Sequence, residues 1–240
     1  MNGFFRKLIS ILAAVAIVIA VFLTAMDILL YHVPGYYAKE YARYGVHETT
    51  KTSPEELEKV TRQMMAYLRG DRELLSDITA VVDGVPDTLF FNEKECSHMA
   101  DCRGLFRSGY GLRSLCLGIA LLLFSVLLLL NRNRFPEALA DLAGGMLWGT
   151  LLSFVLGGGL AFLLCSDFDR YFTLFHIIFF DNQNWTFDPR ESRMINMLPE
   201  GFFFDTAIYT VLIFVVLMAV ILIGAVLYLH SRKKADRAQK

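Results

Sequence analysis

The sequence predicts an all-α membrane protein with four transmembrane helices and two extracytoplasmic loops that form a small, mostly helical outer domain. Three observations predict it. Of the 240 residues, 55% are hydrophobic and only 20% charged, a balance too apolar for an ordinary soluble domain. Four stretches, 8–26, 114–130, 142–166 and 206–229, contain no Asp, Glu, Lys or Arg. Each approaches or exceeds the roughly 20 helical residues needed to cross a hydrocarbon core, and in lipid only a helix or closed barrel satisfies its own backbone. Finally, basic residues mark the short segments between these stretches, as expected of cytoplasmic segments.

The first span is expected over about 8–30, behind a cytoplasmic tail (1–7) carrying Arg6 and Lys7. A cleaved signal peptide would begin in the same way. However, the 19 uncharged residues exceed the usual apolar core of about 7 to 15, and no A-x-A cleavage pattern follows. A retained helix is the expectation.

Residues 31–111 form the first extracytoplasmic loop. It has ten Lys and Arg, but a loop longer than about 60 residues translocates largely regardless of charge. Within it, "TSPEELEKVTRQMMAYLRG" reads as a helix. Ser53 can cap it, Pro54 suits its first position, Glu56 can complete a capping box and Gly70 can stop it. Leu57, Val60, Met64 and Leu68 share one face of that helix at helical spacing. No strand pattern in the loop is strong enough to predict a sheet, and "SGYG" at 108–111 reads as a hinge or turn before the second span.

The stretch "NEKECSHMADC", residues 92–102, holds the loop's chemistry. On a helix, Glu95, His98 and either Asp101 or Cys102 share one face, and a carboxylate beside a His raises its basicity for general-base work. Cys96 and Cys102 would then stand about 9 Å apart along the axis, beyond the reach of a disulfide, which would need a non-helical loop. Zinc prefers paired soft ligands at C-x₂₋₄-C or H-x₃₋₅-H spacing, and that spacing is absent here. A disulfide, a metal site, an acid–base site and a plain surface histidine all remain open from spacing alone.

The second span, about 112–130, returns to a cytoplasmic turn over 131–141 with Arg132 and Arg134. The third, about 142–165, carries Gly144, Gly145, Gly149 and the run at 157–159; the 145/149 pair has the small-xxx-small spacing that lets helix backbones approach. Helix packing is the expected role, with a slot for an acyl chain as the sharper alternative. The second extracytoplasmic loop, 166–205, places His176 near the membrane surface, then Trp185 as an interfacial anchor and an Asp188–Pro189 turn. The fourth span, about 206–229, ends in a basic cytoplasmic tail over 230–240, with Arg232, Lys233, Lys234, Arg237 and Lys240. Cys116 and Cys165, in or at the end of spans, are expected as free thiols. The net charge of −1 offers nothing to nucleic acid.

Two segments, "LFFNEKECSHMADC" and "FHIIFFDNQNWTFDPRESRMINMLPEGFFFDTA", resemble the signature segments of the lipoprotein intramolecular transacylase (Lit) family, and span count and order extend the resemblance over nearly the whole chain. Cys96 and Cys102 depart from it, standing where aliphatic residues are expected. The resemblance implies a multi-pass enzyme of the bacterial cell membrane, with both termini cytoplasmic and the active site on the extracytoplasmic face. Its substrates would be diacylglyceryl-modified lipoproteins, met among membrane lipids. The sn-2 acyl chain would move to the α-amine of the N-terminal Cys, leaving a lyso-form lipoprotein, with no cofactor and no metal. It implies His98 and His176 as the catalytic pair, Glu95 and Asp101 as groups that orient or tune His98, and Asn184, Trp185, Asp188 and Glu200 as the headgroup end of the site. Two other classes remain: a membrane hydrolase or acyltransferase using Ser97, Cys96 or Cys102 as nucleophile, and a non-catalytic sensor or assembly protein.

Overall fold

A computed structural model describes residues 2–238, without the side chains of residues 2, 160–165, 236 and 238. The thiol of Cys165 and residue Lys240 therefore lie outside the described residues. In chain order the elements are α1 (Asn2–His32), α2 (Tyr36–Arg43), α3 (Val46–Thr50), α4 (Pro54–Arg69), β1 (Thr79–Val82), β2 (Val85–Leu89), α5 (Glu93–Leu130), α6 (Phe135–Ser166), α7 (Phe168–Phe179), α8 (Arg193–Met197) and α9 (Glu200–Ala238). Four of the helices, over Gly3–His32, Glu93–Leu130, Phe135–Gly159 and Glu200–Ala235, are long and apolar enough to cross a membrane. The all-α four-span class read from hydropathy is the observed one.

The chain divides into two units. The first comprises residues 1–26, 111–166 and 210–240, the apolar lengths of α1, α5, α6 and α9. Its glycines work where the spacing predicted. A Cβ on Gly145 would lie 2.4 Å from the Ser10 backbone, and one on Gly149 would lie 2.6 Å from the Ala14 Cβ. The α1 and α6 backbones therefore pack at a distance that only glycine permits. Among the described residues no atom comes within 4 Å of a Cβ added at Gly144 or in the 157–159 run, so close packing of the α6 glycines is confined to the 145/149 pair. Gly145→Leu is expected to force the helices apart at a cost of about 1–3 kcal/mol or more. Gly158→Leu, facing open space, should leave thermal stability in detergent unchanged; equal losses in both variants would refute this packing.

One end of this unit is tied by polar contacts. Arg6 Nη1 donates to Asn131 Oδ1 (2.6 Å), Asn131 Nδ2 donates to Asp141 Oδ2 (2.8 Å), and the Tyr228 hydroxyl donates to the Pro136 carbonyl (2.9 Å). Arg232 pairs with Glu137 at 3.7 Å. The N-terminal tail, the α5–α6 turn and the end of α9 thus meet at the same end of this unit.

The second unit comprises residues 27–110 and 167–209 and has a core of its own. Leu57, Val60, Met64 and Leu68, the predicted stripe of α4, are all buried in it. Ser53 caps α4 by accepting from the Glu56 N–H, and Gly70 ends it at φ 100°. The capping box is not completed, because the Glu56 carboxylate instead accepts from the Val81 N–H (3.2 Å).

Two readings of this segment need correction. The loop does contain a sheet, the antiparallel hairpin β1–β2, turned by Asp83 (φ 52°) and Gly84 (φ 77°). Left-handed values at both central positions make this a type I′ geometry, and Asp-Gly between two apolar runs is its sequence signal. The strands are only four and five residues long and the second contains Pro86, so neither has a strong period of its own. Ala80 and Val82 hold the hairpin to the core. "SGYG" is not a hinge either, because residues 108–111 continue α5 without a break. Each helical glycine costs only about 1 kcal/mol, which the long apolar stretch that follows readily absorbs.

Candidate active site

The site grows from the first turn of α5. Asn92 and Glu95 cap each other reciprocally: the Glu95 N–H donates to Asn92 Oδ1 (2.9 Å), and the Asn92 N–H donates to Glu95 Oε2 (2.7 Å). The other carboxylate oxygen of Glu95 accepts from the Ser192 hydroxyl (2.6 Å) and the Met194 N–H (2.8 Å). Only 1% of Glu95 is exposed, and three donors satisfy it, one from the adjoining Asn92 and two from the distant 192–194 segment. None of these bonds goes to His98. Two of them go to the second loop, which Glu95 clamps onto α5.

One turn further on, His98 is buried (7% exposed) against the rings of Phe180, Phe187 and His176. His176 comes from the last turn of α7 and is equally buried. The two imidazole centroids are 5.8 Å apart with planes at 30°. Folding thus unites two histidines separated by most of α5, all of α6 and most of α7.

Their protonation is legible. His176 Nδ1 lies 2.8 Å from the Phe172 carbonyl oxygen. A carbonyl only accepts, so Nδ1 carries the proton and Nε2 presents a lone pair. Burial lowers the His176 pKa, which keeps the ring neutral. His98 is pulled down to about 4, by burial first and then by the neighbouring His176, against a smaller upward pull from Asp101. Its Nε2 contacts Cys102 Sγ at 3.4 Å, and its Nδ1 is buried with no hydrogen-bond partner among the described residues. Such an orphan costs on the order of 1–3 kcal/mol, which a ligand oxygen or nitrogen would recover.

The remaining expected residues divide. Asp101 accepts from Asn182 Nδ2 (2.9 Å), so it acts on His98 through its charge. Asn182 also organises the turn, its side-chain oxygen accepting from the Asn184 N–H and its carbonyl from Trp185 Nε1, both at 2.9 Å. Asn184 Nδ2 donates to Ser97 Oγ (2.9 Å), and Trp185 stacks on His176 with centroids 4.9 Å apart. Trp185 thus lies against one imidazole, and Asn184 bonds the residue next to the other. Asp188 instead forms a fork with Arg190, whose guanidinium holds its carboxyl below the usual range, and its carbonyl accepts from Glu191 and Ser192. Glu200, in the first turn of α9, has its carboxyl pushed up by burial and by Asp169 of α7. Neither Asp188 nor Glu200 is brought to the imidazoles by these contacts. Sequence reasoning missed Asn182, Phe180 and Phe187, polar and aromatic residues that carry no spacing signal.

Among the described residues Cys96, Cys102 and Cys116 form no disulfide, and neither Cys96 nor Cys102 is poised as a nucleophile. Burial pushes Cys102 up to about 12, with help from Asp101, and raises Cys96 as well, with help from Glu95 and Glu93. Both stay protonated at neutral pH. The helical spacing that argued against a disulfide holds, since both cysteines lie in α5.

The surface of α7 completes the picture. Its one fully buried side chain is polar, His176, while Ile177 and Ile178 are 61% and 64% exposed and Phe179 is also exposed. This inverts the pattern of a water-bathed helix and fits one whose outer face meets lipid.

These features define an integral membrane protein of four apolar helices with a buried pair of neutral imidazoles beside an apolar surface. A family model, lipoprotein intramolecular transacylase Lit, matches residues 11–203, and the chain belongs to that family. Among solved structures it is similar to the membrane integral lipoprotein intramolecular transacylase Lit from Bacillus cereus. A variant of that protein with one His replaced by Arg gives a TM-score of 0.69 at 21% identity, covering 99% of this chain and 96% of the other. The variant with Ala at the same place gives 0.68 at 21%, with the same coverages. A third structure gives 0.68 at 20%, covering 99% and 98%. At this identity they show the shared fold. No curated protein sequence matches the chain.

Proposed function

We propose that the chain transfers the sn-2 acyl group of a diacylglyceryl-modified bacterial lipoprotein to the α-amine of its N-terminal Cys, with His176 as general base and His98 as its partner. The observation that carries this reading is the pair of neutral, buried imidazoles 5.8 Å apart, contributed by two separate segments.

The reaction makes little demand beyond proton transfer and orientation. An α-amine has an unperturbed pKa of about 7.7–8.0, so at neutral pH most of it is protonated and must first lose a proton to solvent. The neutral amine then attacks the ester carbonyl carbon. An N–C bond forms, the C–O bond to the glycerol breaks, and the proton leaving nitrogen passes through His176 Nε2 to the glycerol oxygen. Amine and ester become amide and alcohol, and no acyl-enzyme intervenes. Direct attack closes an eight-membered ring, an unfavourable closure unless both ends are held, so the protein's largest contribution is positioning. Burial among Phe180, Phe187 and Trp185 excludes water, which protects the ester from hydrolysis.

The lipid-facing surface of α7 supports a substrate that stays in the membrane while its ester reaches His176. The shared location of the N-terminal tail, the α5–α6 turn and the end of α9 supports a cytoplasmic position for those basic segments. The histidine pair then lies on the extracytoplasmic side. The protonated thiols, and a Ser97 hydroxyl engaged by Asn184, speak against the acyl-enzyme alternative.

The test is expression in a bacterium lacking other N-acylation, with mass spectrometry of lipoprotein N-termini. The expected product has the same total acyl mass as its precursor, with one chain moved to nitrogen. Recovery of only free-amine diacylglyceryl lipoprotein would sink the reading.

A further inference from the structure

His98 has two ring nitrogens with contrasting surroundings: Nε2 meets Cys102 Sγ at 3.4 Å, and Nδ1 is buried with no partner among the described residues. Cys102 lies one helical turn beyond His98 on the same face of α5, so the contact follows directly from the i, i+4 spacing.

The direction of the Cys102–His98 bond follows from the chemistry of both groups. Burial and the Asp101 charge keep the thiol protonated, so it has an S–H to give. His98 is neutral, so one of its nitrogens has a lone pair to receive it. A thiol is a weak donor, but its sulfur is a weaker acceptor than an imidazole nitrogen, so the better pairing is S–H to Nε2.

We propose that Cys102 is a positioning residue: its thiol donates to His98 Nε2, holds the ring in the Nδ1–H tautomer, and so reserves Nδ1–H as the donor to the acyl carbonyl oxygen. The proposal rests on the transacylase reading and divides the roles of the pair. His176, locked by Phe172, offers a bare Nε2 to the amine proton. His98, locked by Cys102, offers an N–H to the oxygen on which negative charge develops. No proton leaves His98 during the cycle, because its hydrogen bond only strengthens as the oxyanion forms. Base and donor thus face one amine and one carbonyl. If His98 carried its proton on Nε2 instead, both rings would present lone pairs and the oxyanion would lack this donor.

The test has a spectroscopic arm and a kinetic arm. In protein labelled with ¹⁵N-histidine and held in lipid nanodiscs at pH 7.5, the His98 signals are those lost in His98→Gln. The expected spectrum shows Nδ1–H in the wild type and in Cys102→Ser, whose hydroxyl can still donate, and a mixture with Nε2–H in Cys102→Ala. On a diacylglyceryl lipopeptide, Cys102→Ala should lower kcat about tenfold with KM nearly unchanged, part of the loss on removing an oxyanion donor, while Cys102→Ser restores most of it. A wild-type ring protonated at Nε2, or a tautomer unmoved in Cys102→Ala, overturns the proposal. So does a shifted tautomer with unchanged kcat. Should the alanine variant not fold, the wild-type and serine spectra decide alone. Absence of acyl transfer by the wild type would defeat the transacylase reading, and the spectra would still decide what Cys102 does to His98.

Discussion

Alanine in place of His176 is expected to lower acyl transfer by about 10²–10⁴-fold, the usual contribution of a positioned general base. His98→Ala should fall in the same range, and the double variant should lose little more than either single one, because the two rings act on one proton transfer and one carbonyl. Folding should survive, since each histidine is a ring packed among other rings and Phe180, Phe187 and Trp185 remain. The pH dependence tests the same geometry. Both histidines have their pKa lowered in the fold, so the neutral form persists as pH falls below the ordinary value of about 6.5, for His98 down to about 4. The acid limb of kcat/KM should therefore follow the substrate amine, near pH 8, rather than an imidazole. A limb at pH 6.5 that stayed in place when the pKa of the substrate amine was changed would contradict this account. So would single variants retaining a tenth of wild-type activity.

Glu95→Ala should do its damage through stability. The carboxylate accepts from the Asn92 N–H, the Ser192 hydroxyl and the Met194 N–H, all within 2.8 Å. Removing it strands these donors in a site where only 1% of the residue meets solvent. A loss of about 3–5 kcal/mol is expected, the scale of breaking a buried charged network. In this chain it should lower the melting temperature by roughly 10 °C. The segment over 180–197 should also become the first site of protease cleavage in detergent micelles. Glu95→Gln should recover only part of the loss, because its amide places an N–H against groups that are themselves donors. If melting were unchanged and only kcat fell, Glu95 would be acting on the chemistry, as the sequence first suggested.

The two groups flanking His98 show how far a one-dimensional reading reaches. Helical spacing correctly placed Glu95, His98 and Cys102 on α5 and separated the two cysteines. It could not say which neighbour each side chain would choose, because two of the three donors that claim Glu95 lie almost a hundred residues away. The cysteines depart from the pattern that carries the resemblance, yet Cys102 makes a polar contact with the His98 ring. The hairpin escaped for a local reason: its Asp83–Gly84 turn was visible, but strands of four and five residues need the buried contacts of Ala80 and Val82 to exist.

By itself the sequence determined the four apolar helices, since hydrocarbon tolerates no charge and no open backbone over that length. It also determined α4, whose stripe and caps are local, and the glycine pair that brings α1 and α6 together. The two signature segments supplied the family and the two histidines. The tertiary structure alone decided that His98 and His176 lie 5.8 Å apart, that Trp185 stacks on His176 and Asn184 bonds Ser97, and that Glu200 meets Asp169. The physical reason is range. Hydropathy and capping act within a few turns of the chain, whereas an imidazole's tautomer and charge are set by whichever distant groups folding packs against it.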